Sequence, residues 1–327
     1  MTFQSVFAQE ISDFMTIKEA EGGMDHVYRY RFSLASFDKY LMDIHLSERE
    51  ISEDLIAEWV KTLGGKGKTI STKISHLRNF IKYLRAIGIP AFLPNLSRVP
   101  STYVPYIFSE DELNAIFSVA DNFPQPDQSP YPYLHIEMPM LLRLLLGCGL
   151  RRGEALSLIM RDVDLQHGVL TLRKTKGKKE RLVPMDSSLF EILRRYCTAM
   201  ELIGYPECCL FPGRTLTNPL AGGAVQTAFR SILALCGIVL AAKEKQQRGP
   251  CLHCFRHVFV IKSILQAEQE GRSLNSYDIV LPTYLGHEDF RDTDEYIHFN
   301  TAMLTESGVA FEEYTKGIIP EVLYEEE

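Results

Sequence analysis

The clearest pattern in the chain lies between residues 69 and 87. There Ile70, Ile74, Leu77, Ile81 and Leu84 fall on one stripe, while Lys73, Arg78, Lys82 and Arg85 lie off it. Spacings of three and four predict an amphipathic helix with a basic outer face. Residues 25–43 show a similar rhythm, with Tyr28, Phe32, Ala35 and Leu41 apolar among Arg29, Arg31 and Lys39, and predict another helix. Pro90, Pro94, Pro100 and Pro105 then crowd together, a run that neither a helix nor a central strand tolerates. A helical domain over 1–89 and an interdomain linker over 90–108 follow from this.

The next domain opens with Ser109 and, three residues later, Glu112, a capping-box signature ahead of Leu113, Ile116 and Phe117. After a loop at 121–132, a strongly apolar helix is expected through Leu142 to Leu146, with Pro139 near its start, running into "GCGLRRGEAL". Residues 168–184 alternate toward strand, with Val169, Leu170 and Leu172 on one arm, Leu182 and Val183 on the other, and Lys176-Gly177 in the bend. Helices are expected at about 187–203, 224–236 and 253–268, with a loop at 211–223. The expected fold is mainly α with a small antiparallel sheet, in two domains.

Composition supports this division. A chain of 327 residues holds two domains of roughly 100–200 residues each. At 46% hydrophobic and 24% charged it is ordinary globular protein. The start carries no basic segment ahead of an apolar core, and the greasiest run, "MLLRLLLGCGL", is broken by Arg143 and too short for a bilayer. No membrane association and a cytoplasmic location are expected. Seven cysteines, an odd number without framework spacing, read as reduced thiols. Cys251, His253 and Cys254 invite a zinc reading with Cys208-Cys209, but adjacent cysteines are poor ligand spacing, so no metal is expected.

Net charge is −7, which argues against a polyanionic partner until its distribution is considered. Residues 61–85 hold Lys61, Lys66, Lys68, Lys73, Arg78, Lys82 and Arg85 without one acid. "RKTKGKKER" at 173–181 holds six basic residues, Lys174, Lys176, Lys178 and Lys179 among them, against Glu180 alone. A solvated face is the plainer reading of one basic helix. Two basic patches on an acidic chain, one approached through Gly65-Lys66-Gly67, suit a polyanion bound at a defined surface.

"HCFRHVF" at 253–259 sets Arg256 among Phe255, Val258 and Phe259. His253 and Arg256 stand three apart, as do Arg151 and Glu154, and so share a helix face. A guanidinium fits phosphate bidentately and keeps its charge, and two of them would stabilise a pentacoordinate phosphoryl transition state. Arg151 with Glu154 is equally read as an intrahelical ion pair. In "LGHEDFRDTDEYIHF" Tyr296 follows His287 by nine residues. A tyrosine becomes a good nucleophile for phosphorus when cations favour its phenolate, but spacing alone does not select one of 15 tyrosines.

In combination, "GLRRGEAL" (149–156), "KGKKERLVP" (176–184), "HCFRH" (253–257) and "LGH" (285–287) with Tyr296 resemble the tyrosine recombinases, the phage integrase and Xer-like family. Four motifs in register over about 150 residues make a specific signal. With the basic helical domain and Pro-rich linker, the likeness covers nearly the whole chain.

The resemblance implies a helical core-binding domain over 1–89 and a mixed α/β catalytic domain over 109–304. It implies Arg151 and Arg256 as the arginine pair, Glu154 supporting the first, and Lys176 protonating the departing 5′-oxygen. His253 and His287 match the two histidines and Tyr296 the nucleophile. Lys66, Lys68, Lys73, Arg78, Lys82, Arg85, Lys174, Lys178 and Lys179 are the expected DNA contacts. The implied reaction is site-specific recombination of double-stranded DNA through a 3′-phosphotyrosyl link, without cofactor or metal, by a homotetramer on two duplexes. A segment over 305–327 is the candidate for exchange between protomers. Pro282 and the altered stretch before "LGH" depart from the family pattern, and Tyr284 and Tyr314 are competing tyrosines. Arg152 is left unassigned.

Integration, excision or transposition of a mobile element is the expected role, on the acidic total, the altered stretch and the lack of an added N-terminal arm-binding domain. Xer-like dimer resolution, a type IB topoisomerase and an idle DNA-binding accessory protein are the alternatives.

Overall fold

The computed structural model describes residues 2–21, 24–65, 67–96, 105–125, 129–173, 180–238, 249–270 and 281–286. The chain divides into two compact units, Met1–Thr102 and Tyr103–Glu327.

The first unit is built from α1 (Ala8–Glu21), α2 (Met24–Asp43), α3 (Glu53–Thr62) and α4 (Gly67–Ala86). Periodicity located α2 and α4 but not α1 or α3. Phe37 meets Trp59 edge-on at 5.2 Å and Phe14 meets Phe80 at 5.6 Å. Such large side chains bury enough apolar surface to hold four helices on one core. The α2 stripe differs from the expected one: Tyr30, Leu34, Phe37 and Leu41 are buried, while Tyr28 and Phe32 are 70% and 53% exposed. The buried set repeats at spacings of four, three and four, and its four large residues outweigh the set that begins at Tyr28. A buried hydrogen bond of 2.8 Å joins Ser33 Oγ to His76 Nδ1, tying α2 to α4.

Both flanks of the Pro-rich stretch are anchored. Ile89, Ala91 and Leu93 pack on the first core, and the Phe92 N–H donates to Ile51 O at 2.7 Å. Phe108 is buried in the second core.

The second unit contains α5 (Glu110–Asp121), α6 (Leu134–Gly147), α7 (Arg152–Leu156), β1 (Val163–Asp164), β2 (Val169–Leu172), β3 (Arg181–Pro184), α8 (Ser187–Ala199), α9 (Gly222–Leu235) and α10 (His253–Gln269). A single helical turn covers 281–285. The capping box forms as expected: Ser109 Oγ accepts from Glu112 N at 3.2 Å, and Glu112 Oε2 accepts from Ser109 N at 2.9 Å. Helix α6 is buried on nearly all sides and packs against α5, α8 and α10, which accounts for its apolar run. Phe255 of α10 lies within 5.2 Å of the Phe108 ring and 5.7 Å of the Phe229 ring. The sheet is antiparallel in the order β1-β2-β3, with Leu170 opposite Val183 and Leu172 opposite Arg181. Residues directly opposite share a face, so Arg181 points to the side where Leu170, Leu172 and Val183 are buried. Among the described residues no helix is long and apolar enough to cross a membrane.

Candidate active site

Helix α6 ends in a turn at Gly149, whose φ of +59° suits a residue without Cβ. An added Cβ there would meet Phe259 Cδ1 at 2.4 Å. Two residues later the extended backbone of Arg151 caps α7. Arg151 therefore stands outside the helix, and its partnership with Glu154 is a cap and not the intrahelical pair the spacing allowed. The Arg151 N–H donates to Glu154 Oε2 at 2.9 Å, and its Nη1 donates to Oε1 at 2.8 Å.

Glu154 is 3% exposed and is shared. Arg181, first residue of β3, donates from Nη1 to Oε1 at 3.1 Å and from Nη2 to Oε2 at 2.9 Å. Burial alone would push the Glu154 carboxyl up; the hydrogen bond from Arg181 and those from Arg151 bring it below the ordinary carboxylate value. Arg181 stands inside the "KGKKERLVP" motif, where the sequence alone assigns it no role. The signal was its place two residues before the buried Val183, on the same face of the strand.

Arg256 is 1% exposed. Its Nη1 donates to Gly149 O at 2.6 Å and its Nη2 to Leu285 O at 2.9 Å. Of the apolar neighbours that the sequence sets around Arg256, Phe259 has its ring against Gly149. Phe255 turns into the aromatic core, and main-chain carbonyls receive the Arg256 donors. A carbonyl satisfies an N–H without cancelling the cation. Arg151 Nη2 lies 3.5 Å from Gly286 O, so successive carbonyls of the Leu285–Gly286 turn face the two arginines. Gly286 also has positive φ, +66°, and an added Cβ would come within 2.8 Å of Arg181 Nη1.

His253 begins α10 and is exposed. Its ring lies 4.8 Å from that of His257, at 80°. His257, given no role by the sequence, is buried, and its pKa is pushed down to about 3, by burial first and then by His253 and Arg256. It stays neutral at physiological pH. Tyr284 stacks on Phe259 at 5.6 Å, and burial, with Cys148 beside it, pushes its phenol up. Both work against a phenolate at Tyr284.

The structure thus brings Arg151, Glu154 and Arg256 together beside the "LG" turn, with His253 at the exposed start of α10, three residues before Arg256. Lys176, His287, Tyr296, Lys66, Lys174, Lys178, Lys179 and the segment 305–327 lie outside the described residues. In the first unit Lys68, Lys82 and Arg85 are exposed, and Lys73 and Arg78 are half-buried. Lys73 Nζ sits 5.7 Å from the Phe32 ring centroid, a cation–π distance. Among the described residues no group of three or more His, Cys, Asp or Glu could hold a metal ion.

Residues 107–303 match the phage integrase family, and residues 26–88 match the N-terminal SAM-like domain of phage integrases. A putative integrase/recombinase of Sinorhizobium fredii is 31% identical over 72% of this chain and 76% of its own length. The tyrosine recombinase XerD of Pseudomonas putida is 29% identical over 84% of this chain and 87% of its own. A XerH site-specific recombinase solved on its palindromic difH substrate, a post-cleavage complex, has the same fold: TM-score 0.66 at 21% identity, covering 92% of this chain and 84% of that one. The chain belongs to the phage integrase family of tyrosine recombinases.

Proposed function

We propose that the chain cleaves and rejoins DNA at a specific site through a 3′-phosphotyrosyl intermediate. The observation that carries this is the convergence of Arg151 and Arg256 on carbonyls of the Leu285–Gly286 turn, immediately before His287. Three motifs far apart in sequence meet there, and two guanidiniums next to each other suit the non-bridging oxygens of a single phosphate.

In this reading the Tyr296 hydroxyl oxygen attacks the scissile phosphorus while its proton passes to solvent water. The Oη–P bond forms and the P–O5′ bond breaks. Lys176 gives a proton to the departing oxygen, leaving a free 5′-hydroxyl. Arg151 and Arg256 stabilise the charge that gathers on the phosphoryl oxygens, where preorganised donors act most strongly. A 5′-hydroxyl of a partner duplex then attacks the phosphotyrosine and regenerates the tyrosine. One phosphodiester replaces another, so neither ATP nor metal enters the balance.

The basic face of α4, with Lys68, Lys82 and Arg85 exposed, supplies phosphate contacts that hold the duplex without reading its sequence. The working assembly is a homotetramer on two duplexes, with residues 305–327 passing between protomers. Recombination of a mobile element is the role proposed, in keeping with the integrase/recombinase name of the relative at 31% identity. Xer-type dimer resolution is the second reading, favoured by the likeness to XerD.

A nicked suicide duplex carrying DNA selected for specific binding tests the reading. The native chain is expected to give a covalent protein–DNA band that is absent with Tyr296→Phe and strongly reduced with Arg151→Ala. Specific binding without a band would favour the accessory-protein alternative.

A further inference from the structure

Glu154 presents one negative charge to two guanidiniums. Arg151 is the exposed member, its side chain 25% accessible, whereas Arg181 is 11% accessible and lies behind the carboxylate. Arg181 engages both carboxylate oxygens at once. Its Nε is buried and has no hydrogen-bond partner among the described residues. The two-pronged end of the side chain is set on Glu154, against Gly286.

We propose that Arg181 is a positioning residue for the reaction described above: it offsets the charge of Glu154, so that Arg151 keeps its pull on the scissile phosphate. The inference rests on the assignment of Arg151 as a phosphate-binding arginine. A carboxylate paired with Arg151 alone would form a neutral couple, with little attraction for an anion. A second guanidinium on the same carboxylate leaves the cluster one positive charge in excess. Beside the buried Glu154 and Arg256 that excess is screened less than it would be in bulk water. The fork also fixes both carboxylate oxygens, and with them the Arg151 backbone N–H and Nη1, before DNA arrives. Arg181 needs no contact with DNA for any of this.

The test measures single-turnover cleavage of the suicide duplex, together with DNA affinity, for Arg181→Met, Arg181→Lys and the double variant Arg181→Met with Glu154→Gln. Arg181→Met is expected to slow cleavage on the order of 10- to 100-fold, less than the ~10²–10³ that loss of a direct donor costs. DNA affinity should change little. Arg181→Lys keeps the charge and loses the fork, so it should cleave faster than Arg181→Met. The double variant removes the carboxylate charge that Arg181 no longer offsets, so it should cleave severalfold faster than Arg181→Met alone under conditions where urea unfolding shows both variants fully folded, which separates the coupling from a gain in stability.

A double variant no faster than Arg181→Met overturns the proposal, as does Arg181→Met cleaving like the native chain. If Arg181→Met does not fold, Arg181→Lys against Arg181→Lys with Glu154→Gln reads the same coupling. Arg151→Ala run alongside separates the two claims. Unimpaired cleavage by Arg151→Ala would sink the assignment of Arg151 and this inference with it, whereas impaired cleavage there with unimpaired Arg181→Met would sink the inference alone.

Discussion

Arg181 and Glu154 lie 27 residues apart in sequence and meet through two parallel hydrogen bonds of 3.1 and 2.9 Å. The pair joins the first residue of β3 to α7 and places a buried carboxylate where Arg151 caps its helix. Removing one partner of a buried ion pair leaves the other charge uncompensated, which typically costs about 3–5 kcal/mol. Glu154→Ala, which strands Arg181, is expected to lose about that much in urea unfolding of the second unit. A change within about 0.5 kcal/mol would mean the arginines are solvated and the pair carries no structural weight.

Glu137 makes a different prediction. It is fully buried in α6, its carboxylate oxygens have no hydrogen-bond partner among the described residues, and burial pushes its pKa up to about 8. The folded chain holds this proton where the unfolded chain, above about 4.5, has released it. Stability therefore falls as pH rises from about 4.5 to about 8, by up to ~1.4 kcal/mol per unit from this group. Glu137→Gln should flatten that slope, and Glu137→Leu should also raise the melting temperature at pH 8. An unchanged slope in Glu137→Gln would show that the carboxyl is ionised in the fold.

His257 acts in the opposite sense. Its folded pKa of about 3 lies below the ordinary 6.5, so the stability it contributes is present above 6.5 and is lost as pH falls toward 3. Between 4.5 and 6.5 the two slopes oppose each other, and below 4.5 only that of His257 remains. A single-proton titration of the His257 ring near 6.5 by NMR would contradict its burial as a neutral imidazole.

The three glycines near the site should differ when replaced by alanine. Gly149 has φ +59° and the Phe259 ring 2.4 Å from an added Cβ, and Gly286 has φ +66° and Arg181 Nη1 at 2.8 Å. Each replacement meets both backbone strain and a clash, at about 1–2 kcal/mol for the strain alone, and each displaces a carbonyl that faces an arginine. Both should lower stability and slow DNA cleavage. Gly153 in α7 has nothing within 4 Å, so Gly153→Ala should be neutral or stabilising by up to about 1 kcal/mol. Equal effects at all three positions would refute this account of the turns.

On α4, Lys82 and Arg85 are exposed, whereas Lys73 is half-buried with its ammonium near the Phe32 ring. If the exposed pair bind phosphate, Lys82→Ala or Arg85→Ala should each reduce the slope of log affinity against log salt by about 0.9, read by fluorescence anisotropy. Lys73→Ala should alter it less. An unchanged slope in all three would assign the basic face of α4 to solvent.

Periodicity made α2 and α4 legible, because an element that buries one stripe leaves that stripe in the sequence; α5 was legible through its capping box and α6 through its apolar run, while the short α7 was not expected. Periodicity misjudged which stripe of α2 is buried: the set of Tyr30, Leu34, Phe37 and Leu41 is the larger one, and Tyr30 packs against Phe14 and His76. The arginine pair and Glu154 were legible through motif order. Arg181 was overlooked, since among the many basic residues of 173–181 its inward direction depends on strand register, and register is fixed by pairing across the sheet. The carbonyl partners of Arg256 left no mark in the sequence either, because main-chain acceptors carry no residue identity.

Tyr296 is the residue on which the proposed chemistry turns. The covalent complex formed on a suicide duplex would be digested with protease and nuclease, and the tyrosine carrying nucleotide identified by mass spectrometry, with the released DNA end mapped. The expected result is a nucleotide joined through its 3′-phosphate to Tyr296 and a free 5′-hydroxyl on the other fragment. Attachment at Tyr284 or Tyr314, a 5′-phosphate linkage, or no adduct on DNA that is bound specifically would contradict it.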